Sequence, residues 1–575
     1  MSSLPAQLLH HATTRPGDTA LRDKHRGVWR ETTWAQYADR AARAGLGLLE
    51  LGVEPGDVVA IHAENRPEWV LADLGAQGVG AVVTGIYPTS PAAEVEYLLQ
   101  HSEAVVLIAE DEEQLDKALE VRDRLPRLKR IVVMDPRNVR ALGTDPMLLT
   151  YAELEELGAR HERGAWEERV EGLDPASTAI VVYTSGTTGP PKGAMITHAN
   201  MVAAGEAFVQ IYDVSPDDEA LSYLPLCHIA ERLFSVIDAT AVGYVVNFGE
   251  GGESFAQDLR DVQPTFFLGV PRVWEKTMAG VEIRMADASR VKRAAYRWAL
   301  GKSNPLARVI LKPLREKLGL SRCRHAVSGA APIAPQVLEY FAALGVPVRE
   351  GYGQTENTAV CTYTPPGDIR IGTVGTALPG VEIRIAEDGE ILTRGAGVFR
   401  GYFKNPDATA ETVDADGWLH TGDIGVLDGD GFLTITDRKK DIIITAGGKN
   451  ISPSEIENRL KVSPYVREAV IVGDRRKHLV ALIGIEADTV GDWATRRSLA
   501  FTTYRDLSAK DEVRELIAGV VDEVNRELAQ VETIKRFTLL EKELDHEDGE
   551  LTATLKVKRR AIEERFAGEI EALYA

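Results

Sequence analysis

Short apolar runs alternate with longer stretches of helical pattern through most of the chain. Strand-like apolar runs occupy residues 58–61, 104–108, 129–134 and 179–183. Runs of this length, separated by helical segments, are typical of sheets whose faces are covered by helices. The pattern therefore predicts an α/β fold with a large N-terminal domain, which we place at residues 1–437.

The pattern changes near residue 380, where turns follow one another closely. Three Asp- and Gly-rich turns lie at 387–389, 414–417 and 428–431. Short strands between such turns predict a small β-rich lobe over about 380–437, at the end of the N-terminal domain.

A smaller unit follows, and we predict a mobile α+β C-terminal domain over residues 438–575. Ser452, Pro453 and Glu455 have the pattern of a capping box with proline at the first helical position, which predicts the start of a helix. The remaining pattern predicts strands over 469–472 and 479–483, an exposed polar loop over 541–554, and helices over 511–528 and from 559 to the end.

Charge and composition narrow the class of protein. The 575 residues include 66 Lys+Arg and 87 Asp+Glu, a net charge of −21, which argues against broad nucleic-acid binding but not against one local anion pocket. The first residues lack a signal peptide, and the uncharged stretch 74–93 is too polar for a membrane span. No clearly cationic amphipathic helix stands out, so we expect a cytoplasmic protein whose contact with the inner membrane face is at most peripheral.

Three cysteines are too few and too scattered for a disulfide framework or a zinc site. Cys227 stands beside His228, as in a Cys–His nucleophile pair. In an extended run, however, neighbouring side chains point to opposite faces, so we predict that Cys227 is a packing residue.

A loop of small and hydroxylated residues carries the first strong functional signal. It spans 183–193 and directly follows a predicted strand. Exposed backbone N–H groups, hydroxyls and a lysine can surround the oxygens of a polyphosphate, and the spacing is not that of a Walker loop. The candidate phosphate ligands are Thr184, Ser185, Gly186, Thr187, Thr188, Gly189 and Lys192.

Further motifs follow this loop in a fixed order. They are Leu224–His228, Ser328–Pro332, Glu350–Glu356, Thr421–Asp423 with Asp437–Arg438, and Leu555–Arg559. With the loop, they make the chain resemble the adenylate-forming enzymes, which include acyl-CoA synthetases, luciferases and peptide-synthetase adenylation domains. Residues 416–440 are similar to the signature of fatty acyl-CoA synthetases, and 224–232 and 269–276 resemble the long-chain branch.

The resemblance implies a reaction in two halves. A fatty acid carboxylate attacks the α-phosphorus of ATP and expels pyrophosphate, and the acyl-adenylate then acylates the thiol of coenzyme A. The carboxylate is ionised at neutral pH and needs no general base. Because an anion must approach a polyanion, the site must supply positive charge, and Mg²⁺ is implied as well.

The resemblance also implies roles for individual residues. Lys556 would bridge the carboxylate and the α-phosphate, although the family's usual glycine before this lysine is Leu555 here. Glu356 and Thr184 would hold Mg²⁺, and His228 would lie at the carboxylate pocket. The nucleotide, coenzyme A and hinge positions implied in the same way are Gly329, Ala330, Tyr352, Gly353 and Thr355 for adenine, Asp423 and Arg438 for ribose, Gly447 and Gly448 for coenzyme A, and Lys440 for the hinge.

Several alternatives remain open from the sequence. An acyl-AMP ligase that loads a carrier protein, or a CoA ligase for another hydrophobic acid, would share the ATP motifs. A non-catalytic sensor is disfavoured by the presence of Lys556, Glu356 and Lys192, and a plain P-loop ATPase by the loop's spacing. Residues after the His228 motif are candidates either for an acyl tunnel or for core packing: Phe234, Ile237, Phe248 and Val270.

Overall fold

The fold was analysed in a computed structural model that describes residues 1–184, 190–252, 254–302, 304–546, 548–552 and 556–575. The strands are β1 Thr19–His25, β2 Val28–Thr33, β3 Val58–His62, β4 Val82–Ile86, β5 Val106–Ala109, β6 Arg130–Val133, β7 Leu148–Thr150, β8 Thr178–Thr184, β9 Lys192–Thr197, β10 Glu219–Ser222, β11 Val245–Phe248, β12 Phe266–Leu268, β13 His325–Ser328, β14 Val348–Tyr352, β15 Thr362–Tyr363, β16 Thr376–Ala377, β17 Val381–Ile385, β18 Glu390–Gly395, β19 Gly401–Tyr402, β20 Leu419–Leu427, β21 Leu433–Arg438, β22 Ile443–Ile444, β23 Asn450–Ile451, β24 Val466–Val472, β25 Leu479–Ile485 and β26 Ile534–Leu539.

Helices lie between most of these strands. They are α1 Leu4–Thr14, α2 Trp34–Glu50, α3 Pro67–Gly78, α4 Ala92–Ser102, α5 Glu112–Val121, α6 Tyr151–Gly158, α7 Gly164–Glu171, α8 His198–Ile211, α9 Ile229–Arg232, α10 Asp238–Val242, α11 Phe255–Val262, α12 Pro271–Ala286, α13 Arg290–Leu300, α14 Pro305–Lys317, α15 Pro335–Leu344, α16 Pro406–Thr412, α17 Pro453–Lys461, α18 Ala487–Arg496, α19 Tyr504–Ser508, α20 Asp511–Asn525, α21 Arg559–Arg565 and α22 Ala567–Tyr574. Within the described ranges, no helix combines the length and apolarity needed to cross a bilayer.

Two large sheets form the core of the N-terminal part. One has eight strands in the order β19-β9-β8-β4-β3-β5-β6-β7, and the other has nine in the order β16-β15-β14-β13-β12-β10-β11-β1-β2. The central strands of both sheets pair in parallel. Every residue of β3 and β4 is buried, which explains why these strands read as continuous apolar runs. The four predicted strands and the α/β class are confirmed.

An antiparallel four-stranded sheet, β17-β18-β20-β21, occupies the region predicted to be β-rich. The predicted Asp-Gly turns connect its strands. Gly389 and Gly431 have φ of +86° in these turns, a conformation that favours glycine. The last strand, β21, ends at Arg438 and leads directly into the C-terminal part of the chain.

The C-terminal part contains a three-stranded sheet, β24-β25-β26, packed against helices, and a short hairpin, β22-β23. The strands and helices predicted here are present, although the last helix is interrupted at Phe566. The loop over 541–554 was predicted to be exposed, and this is wrong in part. Leu544, Glu550 and Leu551 are buried, because Glu550 pairs with Lys542 and Arg565 and draws the segment onto the sheet.

The capping box predicted at Ser452 is also wrong in its chemistry. Helix α17 begins at Pro453 as predicted, but the Ser452 hydroxyl makes no cap hydrogen bond to the helix. It donates instead to the Asp437 carboxylate at 2.7 Å, and the same carboxylate accepts from the backbone N–H of Ser454 at 3.2 Å. Asp437, at the end of β21, therefore ties the start of α17 to the β-rich sheet.

A cationic amphipathic helix is present, contrary to the expectation from sequence. Helix α13 buries Tyr296 and Ala299 and exposes Arg290 and Arg297 on its other side. The pattern was missed because an exposed residue, Trp298, is as apolar as the buried ones, so the helix has apolar residues on two faces.

A buried ion pair joins helices α3 and α9. The guanidinium of Arg232 contacts the Asp73 carboxylate, and both side chains are fully buried. Arg232 also lies over the ring of Trp69, 4.9 Å from its centroid. Because Arg232 ends α9, which begins directly after His228, this pair fixes the helix that follows the candidate site residue.

We expect Arg232→Met to lower the free energy of unfolding by about 3–5 kcal/mol, since it leaves the Asp73 carboxylate buried without a counter-charge. Thermal unfolding followed by calorimetry measures this. The matched control is Arg160→Met, at an exposed arginine, and it should change little. The double variant Asp73→Leu/Arg232→Met should recover most of the loss, and a double variant as unstable as the single one would contradict this account.

Candidate active site

A large cleft, with a cavity volume of about 2780 Å³, lies at the carboxyl ends of the parallel strands of the nine-stranded sheet. The β-rich sheet and the C-terminal part of the chain form its other walls. Clefts at this edge of an open α/β sheet are the usual place for ligands. The cleft brings together residues from all six predicted motifs, which are far apart in sequence.

The end of β14 forms a polar cluster with the β-rich sheet. The hydroxyl of Tyr352 and the side-chain amide of Gln354 both donate to the same Asp423 oxygen, each at 2.7 Å. The Nε of Arg438 lies 3.2 Å from the other oxygen. Asp423 is only 4% exposed, so this carboxylate is held rigidly at the cleft wall.

Close backbone packing shapes the wall beside Tyr352. A Cβ at Gly353 would lie 2.2 Å from the carbonyl oxygen of Ala359, so only glycine allows the two segments to pass. Ala330, on the facing loop after β13, has φ of +66°, a strained conformation for alanine. A Cβ at Gly329 would lie 3.1 Å from the Gly351 carbonyl oxygen, which leaves little room between the loops.

Glu356 lies in a short 3₁₀ helix at 355–357, with Thr355 as its first residue. The hydroxyl of Tyr402 donates to its Oε1 at 2.6 Å. The Nζ of Lys192 lies 5.0 Å from the centroid of the Tyr402 ring, so this tyrosine links the phosphate-loop lysine to the predicted metal ligand. Burial, and then the Glu356 charge, raise the pKa of the Tyr402 hydroxyl, which therefore stays protonated as a donor.

Thr184 and Lys192 face each other across the β8–β9 pair and line the cleft. The loop between these strands contains the other predicted phosphate ligands, which lie outside the described residues: Ser185, Gly186, Thr187, Thr188 and Gly189. Leu555, before the predicted catalytic lysine, lies outside them too. Among the residues that the structure describes, no group of three or more His, Cys, Asp or Glu is arranged to hold a metal ion.

Lys556 comes from the C-terminal part of the chain and reaches into the cleft. Its backbone N–H donates to the Thr552 hydroxyl at 3.0 Å. The surrounding protein desolvates the ammonium group and lowers the pKa of Lys556 to about 8. The Arg438 charge also lowers it, whereas the carboxylates of Asp423 and Glu356 raise it. The lysine is therefore close to both predicted nucleotide-site carboxylates.

His228 is the N-cap residue of α9, and its Nδ1 accepts from the Ala230 N–H at 3.1 Å. Burial, and then the Lys556 charge, lower the pKa of His228 to about 4, so the imidazole is neutral at pH 7. The side chain of Asn65 holds the preceding segment: its Nδ2 donates to the Leu224 carbonyl at 2.6 Å and its Oδ1 accepts from the Leu226 N–H at 3.1 Å.

The packing role predicted for Cys227 is confirmed, but the reasoning behind it is not. Residues 226–228 form a turn and not an extended run. Cys227 is buried against Gly85, where an added Cβ would lie 2.5 Å from the Cys227 Cβ. Burial raises the pKa of the Cys227 thiol, which makes it a poor nucleophile.

Ion pairs hold the C-terminal part of the chain over the cleft. Arg272 of α12 contacts Glu486, and Asp287 accepts from Arg496 at 2.9 Å. On the other side of the cleft, the Nε2 of His546 lies 3.2 Å from the Glu94 carboxylate. These contacts fix the orientation in which Lys556 enters the site.

The hinge and coenzyme A candidates differ in their placement. Lys440 lines the cleft, and burial, followed by the charge of Arg438, lowers its pKa. Gly447 and Gly448 lie in the turn of the β22-β23 hairpin, where Gly448 has φ of +74°. Neither glycine lines the cleft in this orientation of the C-terminal part.

The tunnel candidates divide into two pairs. Phe234 and Val270 line the cleft, whereas Ile237 and Phe248 are buried in the core of the N-terminal part. The wall around Phe234 is apolar and includes Phe208. The cleft thus has apolar lining residues as well as the polar cluster at Asp423 and Glu356.

Comparison with known families decides the assignment. Residues 8–403 match the AMP-binding enzyme family, and residues 440–575 match the AMP-binding enzyme C-terminal domain. The chain belongs to the AMP-binding enzyme family. The resemblance stated from the motifs is therefore confirmed.

Curated relatives in this family match over the full chain. The long-chain-fatty-acid–CoA ligase FadD15 of Mycobacterium tuberculosis is 35% identical, and the match covers 100% of this chain and 97% of the relative. The long-chain-fatty-acid–CoA ligase ACSBG2 of Xenopus laevis is 33% identical, with 100% and 84% covered.

Solved structures of AMP-binding enzymes share the fold. The adenylation domain of the carboxylate reductase of Mycobacterium chelonae superposes with a TM-score of 0.81 at 21% identity, covering 100% of this chain and 91% of that one. The anthranilate CoA ligase AuaEII, solved with anthranoyl-AMP, superposes with a TM-score of 0.76 at 22% identity, covering 99% and 98%.

Two residues of this candidate site were not predicted from the sequence. Gln354 lies inside the quoted motif at 350–356, so its place next to Tyr352 was available from the sequence. Tyr402 lies in no quoted motif. It reaches Glu356 because β19 pairs with β9. These two strands are about 200 residues apart in the sequence, so the pairing could not be predicted from local sequence patterns.

The pKa of Lys556 leads to a prediction for the pH dependence of adenylation. Since the lysine is charged below its pKa of about 8 and neutral above it, kcat/KM for ATP should be constant from neutral pH to about 8 and then fall with rising pH. Pyrophosphate release without coenzyme A, measured over this range, tests the prediction.

The control for this measurement is Lys556→Arg, whose guanidinium stays charged. It should abolish the alkaline decline while retaining part of the activity. An identical decline in that variant would show that another group titrates.

Proposed function

We propose that the chain is an AMP-forming acid–thiol ligase that activates a long-chain fatty acid with ATP and transfers the acyl group to coenzyme A. The observation that carries the proposal is the entry of Lys556, from the C-terminal part, into a cleft that contains Asp423, Glu356 and His228. The two named relatives, both long-chain-fatty-acid–CoA ligases aligned over the full chain, support the substrate class.

In the first half-reaction, a carboxylate oxygen of the fatty acid attacks the α-phosphorus of ATP, and the bond to the bridging oxygen breaks to release pyrophosphate. Negative charge collects on the α-phosphate oxygens in the transition state. Lys556 would stabilise that charge, and the desolvation that lowers its pKa would also strengthen its interaction with an anion.

Thr184 and Lys192, on either side of the predicted phosphate loop, support binding of the β- and γ-phosphates. The loop residues Ser185, Gly186, Thr187, Thr188 and Gly189 remain assigned to this role by sequence. Lys192 lies over the Tyr402 ring and lines the cleft, where a nearby cation would stabilise departing pyrophosphate.

Residues present in the cleft fit a magnesium ion. Glu356 has one oxygen bound by Tyr402, which leaves the other for a cation, and Thr184 supplies a hydroxyl. Mg²⁺ usually binds one or two carboxylates together with substrate phosphates, which agrees with the absence of a larger acidic cluster among the described residues. Glu356 and Thr184 would hold it, and it would neutralise phosphate charge.

The nucleoside would bind along the wall formed by β14 and the loop after β13. Tyr352 lines this wall, and the close backbone packing at Gly329 and Gly353 keeps it free of side chains that would compete with a flat base. Asp423 and Arg438, held by their mutual contact, are placed to bind ribose hydroxyls.

In the second half-reaction, the sulfur of coenzyme A attacks the acyl carbonyl, the carbon–oxygen bond to phosphate breaks, and AMP leaves. We infer that the C-terminal domain, residues 438–575, rotates about Lys440 between the two steps. This would withdraw Lys556 and bring the Gly447 and Gly448 turn to the cleft, where its small residues would let pantetheine pass. Closure also shields the acyl-adenylate from water.

The half-reactions can be separated by a variant of the lysine. Lys556→Ala should reduce acyl-AMP formation by about 10²–10³-fold, because it removes a charge that stabilises the transition state. Thioester formation from supplied acyl-AMP and coenzyme A should be nearly unchanged. Pyrophosphate release measures the first step, and acyl-CoA detected by mass spectrometry measures the second.

The matched control is Lys558→Ala, since Lys558 is two residues away and does not line the cleft. It should leave both steps nearly unchanged. Equal loss of both steps in Lys556→Ala would contradict the role of a domain rotation between them.

A further inference from the structure

The helices α13 and α14 and their connection, residues 290–317, carry a charge opposite to that of the whole chain. We call this segment the basic hairpin. It contains nine Lys and Arg residues and one acidic residue, Glu316, in a chain whose net charge is −21. Such a local concentration of positive charge predicts attraction to an anionic partner, since fields of surface charge act over about one Debye length.

Large apolar side chains are exposed on the same two helices. On α13, Val291 is 81% exposed and Trp298 is 42% exposed. On α14, Leu306 is 59% and Val309 is 66% exposed, and Ile310 is exposed as well. These five are among the most exposed large apolar residues of the described chain, and a cluster of this kind marks an interaction surface.

On α13 the exposed apolar residues lie on the side of the helix that points away from the core. Tyr296 and Ala299 of α13 pack into the core, whereas Val291 and Trp298, seven residues apart, share the outer face. Arg290 and Arg297 have the same spacing and lie next to them. The outer face therefore carries an apolar stripe bordered by cations.

On α14 the same arrangement recurs. Ala307 and Leu311 are buried, and the exposed Leu306 and Val309 are flanked by Arg308 and the lysines of the helix. Helices α13 and α14 contact each other, so their outer faces form one surface.

The chain itself neutralises little of this charge. Among the described residues, the only ion pair made by the nine cations is Lys312 with Glu316, at 3.7 Å within α14. The guanidinium of Arg315 donates to backbone carbonyls of Leu344 and Arg308. Elsewhere on this protein, surface arginines commonly pair with carboxylates, as Arg124 does with Glu96.

We propose that the outer face of the basic hairpin docks on the surface of an anionic lipid bilayer. Amphipathic helices that lie in a membrane interface combine a Lys- and Arg-rich border with Trp and aliphatic residues on the inserted face. A nucleic acid would use the cations but not the exposed Leu306 and Val309. A second copy of this chain would place two strongly positive surfaces against each other.

The basic hairpin lies next to the cleft, so docking on a bilayer would bring the cleft close to the membrane. Lys317, at the end of α14, and the adjacent Leu318 line the cleft together with Val281 and Arg284 of α12. The docking surface is thus continuous with one rim of the cleft. A fatty acid dissolved in the bilayer would enter from that rim, and this consequence, unlike the docking itself, depends on the proposed function.

Vesicle sedimentation tests the docking directly. The full-length protein should bind vesicles of phosphatidylcholine that contain about one-third phosphatidylglycerol, bind phosphatidylcholine alone weakly, and be released by high salt. Arg290→Glu/Arg297→Glu should weaken binding to the anionic vesicles by at least about tenfold, since each basic residue near the surface contributes roughly fivefold to the affinity.

A matched control tests whether vesicle binding depends on the basic hairpin or only on the net charge of the protein. Arg130→Glu/Arg160→Glu makes the same change at two exposed arginines outside the hairpin and should bind like the unmodified protein. Equal weakening by both pairs would overturn the proposal. So would equal binding of the unmodified protein to the two kinds of vesicle.

The apolar stripe has its own test. Leu306→Ser/Val309→Ser should also weaken vesicle binding, whereas Val28→Ser, at an exposed valine of β2, should not. Brominated lipids should quench part of the tryptophan fluorescence, and Trp298→Phe should remove that quenching. A dimer that Leu306→Ser/Val309→Ser dissociates, or RNA binding that displaces vesicles, would assign this face to another partner and overturn the proposal.

Activity in the absence of vesicles distinguishes this proposal from the proposed function. Turnover of a short, water-soluble fatty acid should be the same in the hairpin variants and in the unmodified protein. If all of these proteins were inactive while the unmodified protein bound anionic vesicles and the hairpin variants bound them weakly, the docking proposal would be supported and the catalytic assignment would be contradicted.

Discussion

The active-site arrangement depends on bringing one ammonium group, that of Lys556, into the cleft within the electrostatic influence of the Asp423 and Glu356 carboxylates. The cost of desolvating this charge appears as a pKa of about 8, and the two carboxylates partly offset it. A cation kept in this state interacts strongly with an arriving anion. Because Lys556 belongs to the C-terminal part of the chain, its position depends on the contacts that hold that part over the cleft.

Those contacts include several ion pairs. Arg272 with Glu486, Arg496 with Asp287, and His546 with Glu94 connect the C-terminal part to the N-terminal part. Ion pairs of this kind, at least partly exposed, contribute little stability each. The N-terminal wall is built differently, with buried strands, the fully buried Arg232–Asp73 pair and the Tyr352–Asp423 hydrogen bond. A rigid wall that faces a lightly held unit suits an enzyme whose catalytic lysine must arrive and then leave.

Much of the fold and of the cleft could be predicted from the sequence, because some short stretches are compatible with only one kind of structure. The continuous apolar run at 58–61 became a fully buried parallel strand, and the order of the motifs predicted the polar side of the cleft. Predictions from local sequence were wrong or incomplete where a side chain bonds to a residue far away in the sequence. The Ser452 hydroxyl found the Asp437 carboxylate, and Tyr402 found Glu356 across a sheet pairing. The outer face of α13 was missed because Trp298 is apolar without being buried.

The account requires that an acid, ATP and coenzyme A be joined in one cleft, and the distribution of products tests this most directly. The purified protein would receive ATP, Mg²⁺ and a mixture of short to long fatty acids, with and without coenzyme A, and the products would be identified by mass spectrometry. The account predicts AMP and acyl-CoA, with the long chains preferred, and acyl-AMP when coenzyme A is omitted. Acyl-AMP that persists in the presence of coenzyme A would point to a carrier protein as the acceptor. Formation of no AMP from any acid would contradict the central claim.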